Sequence, residues 1–351
     1  MGDGLAGRAT RRRASGEDCD VPEARGKSCV VTGAGGFIGR AVCERLVADG
    51  ARVTGLDLDA AAADRVTSTG AGFAVCDTTD EKAVERELTD AQLIVHAAAR
   101  VSDWGPMDDF VRVNVRGTRN VLDAARASGA ERVLHVSSVA SWGYEHRHAL
   151  DEDAPPRPCG IPYIDTKGAS DSLARSRAAT GQPVTVVRPG DVYGPGSIPW
   201  AVRPLEGIRR RQFMLVGSGE GLMTPVYVDD LVSAIVVALT LPQASGEAFT
   251  VWDGHAVSCA EFFSYYARML GRDGVPRLPL PVAVVAGALQ EAAARVTGRP
   301  PAFTRNAITF VSRRAPYSNR RARELLGWQP SVTLAEGMRR TERWFRAEGL
   351  L

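Results

Sequence analysis

Residues 31–39 read VTGAGGFIG, with glycines at 33, 36 and 39. A β-branched run, SCVVT (28–32), leads in, and a helical pattern, FIGRAVCERLVADG (37–50), leads out. Each glycine has its own mechanical task. Gly33 permits the dihedrals of a first tight turn. Gly36 lets backbone approach a pyrophosphate, and Gly39 lets the helix pack closely on the strand. The free N–H groups at the helix start then face the phosphates. Three such glycines alone would describe only a turn; strand before and helix after make this a dinucleotide-binding turn. Phe37 and Ile38 open that helix.

The same alternation runs onward. ARVTGLDLD (51–59), AGFAVCD (71–77), AQLIVHAAA (91–99), ERVLHVSS (131–138) and QPVTVVRPG (182–190) read as strands. DDFVRVNVRGTRNVLDAARASG (108–129) and YIDTKGASDSLARSRAATG (163–181) read as helices. Strands that are apolar throughout, separated by helices, predict an α/β fold with a doubly wound parallel sheet covered on both faces. After Pro189 glycine and proline break the pattern. We therefore expect a dinucleotide-binding domain at 28–190 and a smaller mixed substrate-binding region at 191–351, some of whose segments return to the main body. Residues 1–27, rich in Gly, Ala, Arg and Asp, are expected to be a flexible tail without a secretory signal.

Asp57 ends the second strand, about twenty residues beyond the glycines, where a carboxylate accepts hydrogen bonds from an adenosine ribose diol and repels a 2′-phosphate. Leu58 follows it in place of a basic residue. NAD is therefore preferred over NADP, with Arg40 the group that could still hold a 2′-phosphate. Asp77 could cap the next helix or touch adenine.

Bulk properties exclude several classes. The 351 residues carry 43 Lys and Arg against 41 Asp and Glu, too balanced for a nucleic-acid binder. The runs Arg11–Arg13 and Arg209–Arg211 read as solvated patches. Six scattered cysteines lack metal or paired spacing, which points to free thiols in a reducing, cytoplasmic compartment. His146 and His148 read as an exposed loop pair rather than metal ligands. VAVVAGAL (282–289), the longest apolar run, is too short to span a bilayer and reads as a buried helix, leaving peripheral membrane contact the less favoured reading.

TGAGGFIG, CDTTD, VHAAA, NVRGT, HVSS, YIDTK, RPGDVYGPG, PVYVDDL and RARELLGWQPSVTLAEG together resemble the extended short-chain dehydrogenase/reductases, the epimerase/dehydratase superfamily, and within it the 3β-hydroxysteroid dehydrogenase-type branch. The resemblance spans about Lys27 to the C-terminus. It implies Ser138, Tyr163 and Lys167 as the catalytic set, with Ser137 structural. It adds Ala97, Ala98, Ala99, Asn114, Pro189 and Val192 to the cofactor contacts, Asn114 bracing the end of the fourth strand. The physics agrees. A phenol titrates near 10, too high for acid–base work at neutral pH. A lysine one helical turn away, joined by the positive charge of oxidised nicotinamide, favours phenolate. Ser138 can bond a substrate oxygen as charge develops on it.

The reaction is read from departures within that resemblance. Val139 and Ala140 follow Ser138 where dehydratases carry an acidic pair. Asp191 stands where nucleotide-sugar enzymes often have asparagine, and Met223 where they often have a diphosphate-binding arginine. These point to an uncharged, apolar ligand. Trp104, Met107, Trp142, Tyr144, Tyr193 and Trp200 come from loops at the sheet's carboxyl edge and are candidates, with Val139, to line its pocket. Asp229 and Asp230 read as helix caps. The expected activity is interconversion of a secondary alcohol and a ketone on a steroid, polyketide or lipid-like substrate. A sugar epimerase with retained NAD and a non-enzymatic dinucleotide sensor remain open. Dimerisation through 110–127 and 163–179 is implied by resemblance alone.

Overall fold

The β-branched runs pair side by side in one parallel sheet. Its strands are β1 (Ser28–Thr32), β2 (Arg52–Asp57), β3 (Gly72–Val75), β4 (Leu93–His96), β5 (Arg132–Val136), β6 (Val184–Pro189) and β7 (Ala248–Val251). They lie in the order β7-β6-β5-β4-β1-β2-β3, every neighbour parallel. The order reverses between β1 and β4, opening a crevice at their carboxyl ends, where sheets of this kind hold ligands. This computed structural model describes residues 24–351. Most of the expected N-terminal tail, with Arg11–Arg13 and Cys19, lies outside the described residues. Ala24–Lys27 form a turn whose Gly26 N–H donates to Gly50 O at 2.9 Å.

Alternate side chains of each inner strand enter opposite cores. Val31, Val95, Leu134 and Val187 join one, and Val30, Ile94, Val133 and Val186 the other. Both faces are buried, which is why these strands are apolar throughout. Helices α1 (Phe37–Ala48), α2 (Glu81–Leu88), α3 (Thr118–Ala127), α4 (Pro162–Ala179) and α5 (Val228–Thr240) cover them. Val42 and Leu46 of α1 and Leu231 and Ile235 of α5 fill the first core. Val84 of α2, Val121 of α3 and Ala174 of α4 fill the second. The long helical pattern before α3 is interrupted by a π-helical stretch, Val111–Gly117.

The remainder mixes short ladders, such as Asp191–Tyr193 with Pro225–Tyr227, with helices α6 (Cys259–Met269), α7 (Leu280–Thr297), α8 (Arg305–Phe310) and α9 (Leu334–Ala347). One expectation is overturned here. VAVVAGAL does form a helix, within α7, but the helix is not buried: Val282, Val285 and Leu289 are 51%, 60% and 66% exposed. The cause is its inward face, made of Ala283, Gly287, Glu291 and Ala294. A Cβ on Gly287 would stand 3.3 Å from Ile308 and 3.4 Å from Phe303, so the small residues seat the helix closely and the large ones are left outside. Among the described residues no helix is long and apolar enough to cross a membrane.

Candidate active site

The glycine turn is built as close approach requires. Gly33 has φ +68°, and a Cβ there would stand 2.8 Å from Ala98 backbone. At Gly39 an added Cβ would be 2.1 Å from Gly33 O. Gly36 is the N-cap of α1 and no side chain caps it, which leaves the first N–H groups of the helix for an anion. Asp57, at the end of β2, faces this turn: Gly35 N–H donates to its Oδ2 at 2.9 Å and Asp59 N–H to its Oδ1 at 3.0 Å. Asp77 accepts from Thr79 N–H at 2.8 Å, closing the turn before α2. Ala97 and Ala98 continue β4, donating to Thr32 O and Thr32 Oγ1, each at 3.2 Å. The uncapped helix start, the glycine-rich turn and the Asp57 carboxylate beside it form a cradle into which an NAD molecule fits. Pro189 and Val192 bracket the end of β6.

Asn114 is buried within the π-helical stretch. Its Oδ1 accepts from Arg100 N–H at 2.7 Å, and its Nδ2 donates to Arg100 O at 3.1 Å and Thr166 Oγ1 at 3.0 Å. One side chain thus ties the chain after β4 to α4, which carries Tyr163 and Lys167. The π turn, common at functional sites, carries it.

Ser138, just past β5, stands close enough to Tyr163, in the first turn of α4, for its hydroxyl to act on the phenol. Ser138 Oγ also accepts from Ala140 N–H at 3.1 Å. Lys167 is buried, and its Nζ donates to Val136 O at 2.7 Å. Burial lowers its pKa to about 8, against the pull of Asp171. The Tyr163 phenol is held above its ordinary value by burial, which outweighs the lowering by the Ser138 hydroxyl and is reinforced by the Asp103 carboxylate. The sequence reading expected Lys167 to lower the phenol. Here desolvation prevails, and the ammonium is engaged by a backbone carbonyl. Beneath Lys167 lie the stacked rings of His96 and His135, 5.4 Å apart. His96 bonds Thr32 and Thr118, and His135 bonds Ser170. Burial and the nearby ammonium keep both neutral, His96 down to about 3.

The expected substrate residues divide. Trp200 stacks on Phe310 at 4.9 Å, and Tyr144 meets the same ring edge-on at 5.0 Å, beside Tyr163. Trp104 lies half-buried under Arg295, and Met107 is exposed. Four candidates are instead core. Tyr193 is buried against Tyr227 and Phe262 because Gly337 leaves room for its ring. Met223 and Val139 are fully covered. Asp191 is buried, accepting from Arg313 Nη2 at 2.6 Å and Thr224 N–H at 2.7 Å. Its charge is neutralised within the protein, so the repulsion it was expected to exert on a diphosphate does not apply.

Other expectations also change. Trp142 is enclosed between Arg188 and Tyr317, with Nε1 donating to Ala154 O at 2.8 Å. His146 is not exposed; it is packed against Tyr317. Asp230 caps no helix of its own but accepts from Ser331 and Val332 N–H, pinning the C-terminal segment. Asp229 pairs with Arg340. Phe310, Arg313 and Asn306, which donates to Asp103 at 3.1 Å, were missed. They come from a stretch without motif, more than a hundred residues beyond Tyr163. Thr166, inside YIDTK, could have been suspected from its place one turn after Tyr163.

Comparison with known proteins agrees with this architecture. The model of the NAD dependent epimerase/dehydratase family matches residues 29–251. The chain is 31% identical to UDP-glucose 4-epimerase of Mycolicibacterium smegmatis, over 90% of this chain and 98% of that one. It is 26% identical to 2-alkyl-3-oxoalkanoate reductase of Shewanella oneidensis, over 92% and 87%. The solved structure of the dTDP-glucose 4,6-dehydratase DesIV from Streptomyces venezuelae, with NAD bound, superimposes with a TM-score of 0.75 at 25% identity, covering 91% of this chain and 97% of that one. The chain belongs to the NAD-dependent epimerase/dehydratase family of the extended short-chain dehydrogenase/reductases, and its cofactor is NAD.

Proposed function

We propose that the protein interconverts a secondary alcohol and a ketone on a hydrophobic substrate, a steroid, polyketide or lipid-like carbonyl compound. One observation carries this reading: the Ser138–Tyr163 pair adjoins an aromatic cluster, Tyr144, Trp200 and Phe310, whose arginine, Arg313, is committed to Asp191. Such a lining favours apolar rings or chains over a diphosphate. NAD held in the glycine turn supplies the acceptor or donor of hydride. Tyr163 takes the hydroxyl proton in oxidation and returns it in reduction. Ser138 Oγ already accepts from Ala140 N–H, so its proton can be donated to the substrate oxygen. Burial keeps the phenol protonated, the form that donates to a ketone. Lys167, lowered to about 8 by burial, stands one helical turn from Tyr163 with its Nζ donating to Val136 O. The Shewanella reductase supports this chemistry.

The test is spectrophotometric. NADH and NADPH are titrated, and steroid, polyketide-like and sugar carbonyls are screened at the nicotinamide band. Tyr163→Phe should lower kcat/KM by about 10²–10⁴-fold while the circular dichroism is unchanged. Near-normal turnover in both Tyr163→Phe and Lys167→Ala would overturn the mechanism. The mycobacterial relative favours a second reading, sugar epimerisation with retained NAD. Isomerisation of a sugar without net absorbance change at that band would select it.

A further inference from the structure

We propose that α7 is a membrane-surface element: a helix that lies flat on an anionic bilayer and docks the enzyme there. The helix is inside out. Its inward positions, Ala283, Gly287, Glu291 and Ala294, are three small residues and an acid. Its outward positions carry the large apolar side chains, Val282, Val285, Leu289 and Val296, at 51%, 60%, 66% and 88% exposure. The spacing of three, four and seven residues lays them along one stripe. Leu280 and Val284, at 44% and 42% exposure, lie off that stripe, on the other flank of the helix near its N-terminal end. Water alone gives no reason for that stripe to face outward.

Charge decides what covers it. Between residues 277 and 305 the chain carries Arg277, Arg295, Arg299 and Arg305 against one acid, Glu291. That acid is buried and bonded to Arg305, Oε2 accepting from Nε at 3.0 Å. The exposed ends of the apolar stripe are therefore basic, at Arg277 on one side and Arg295 and Arg299 on the other. An apolar face flanked by arginines suits the boundary between acyl chains and acidic headgroups. A second copy of this chain would oppose two net-positive faces, a poorer match. Eighteen residues extend about 27 Å, and with no helix among the described residues able to cross a bilayer, α7 rests in the plane of the surface. The contact is independent of the reaction, so its failure would leave the reductase reading standing.

Flotation of the full chain, with NAD present, tests this against vesicles of phosphatidylglycerol with phosphatidylcholine and vesicles of phosphatidylcholine alone. The chain should rise with the anionic vesicles and less with the neutral ones. Val285→Glu with Leu289→Glu should lower partitioning at least about tenfold, because two buried apolar side chains are lost and charges enter the interface. Arg295→Gln with Arg299→Gln should weaken binding and flatten its salt dependence. All four side chains are exposed and Arg295 gives up only its contact over the Trp104 ring, so melting temperatures should shift little, which separates lost binding from lost folding. A wild-type chain that stays with the aqueous fraction, or floats undiminished in both double variants, overturns the proposal. So does a dimer, seen by light scattering, that Val285→Glu with Leu289→Glu splits, which would place a second copy on α7.

Discussion

Tyr163 and Lys167 stand one helical turn apart, and burial acts on them in opposite senses. The phenol is pushed up and the ammonium down, each toward its neutral form. Asp103 adds to the first effect. Asp103→Asn therefore removes a charge that favours the protonated phenol. The rising limb of alcohol oxidation should move to lower pH, with reduction losing activity at correspondingly lower pH; pH profiles of kcat/KM in both directions check this. Tyr163, Lys167 and Ser138 could be named as candidates from the sequence because each stands in a short motif, YIDTK or HVSS. Asp103 stands beside the candidate Trp104, but its effect could not be read from the sequence. It depends on Asn306 and on the depth of the phenol, both set by distant chain.

At the scale of elements, the β1–α1 turn and the Arg313 clamp show two kinds of constraint. Gly39 faces the carbonyl of Gly33, and a methyl group there would meet backbone that cannot yield. Gly39→Ala should cost about 1–3 kcal/mol or more of stability and weaken NADH binding, measured by thermal melting and by fluorescence titration. Arg313 joins the segment after α8 to Asp191 and donates to Leu222 O at 3.1 Å. Arg313→Met leaves the buried Asp191 carboxylate without its counter-charge. It should destabilise the fold by about 3–5 kcal/mol, read from urea midpoints. The turn was legible in nine residues. The clamp was not, since its partners are 122 positions apart. α7 lies between these cases: its helical period was plain, but the face it would bury was not, because small residues sought the interior and large ones were left out.

Over the whole molecule, burial of ionisable groups sets the response to acid. His96 titrates near 3 in the fold against 6.5 as its ordinary value, and His135 is displaced the same way. Between those pH values the unfolded chain binds protons that the folded chain does not. Their contribution is therefore present above about 6.5 and is lost as pH falls. From pH 7 to pH 5 His96 alone should cost about 2 kcal/mol. Asp253, raised by burial to about 6, works in the opposite direction over part of that range. The diagnostic measurement is thus a difference: urea unfolding at the two pH values, with His96→Gln losing about 2 kcal/mol less than wild type on acidification. The sequence by itself determined the parallel sheet and the NAD turn and named Ser138, Tyr163 and Lys167 as candidates, because each is written in short windows of side-chain pattern, glycine placement or helical spacing. Tertiary structure alone decided which candidates became core, as Tyr193 and Asp191 did, which ring completed the aromatic cluster, and which face of α7 met water. A side chain's environment is made by whatever elements arrive across from it, and those elements come from remote parts of the chain.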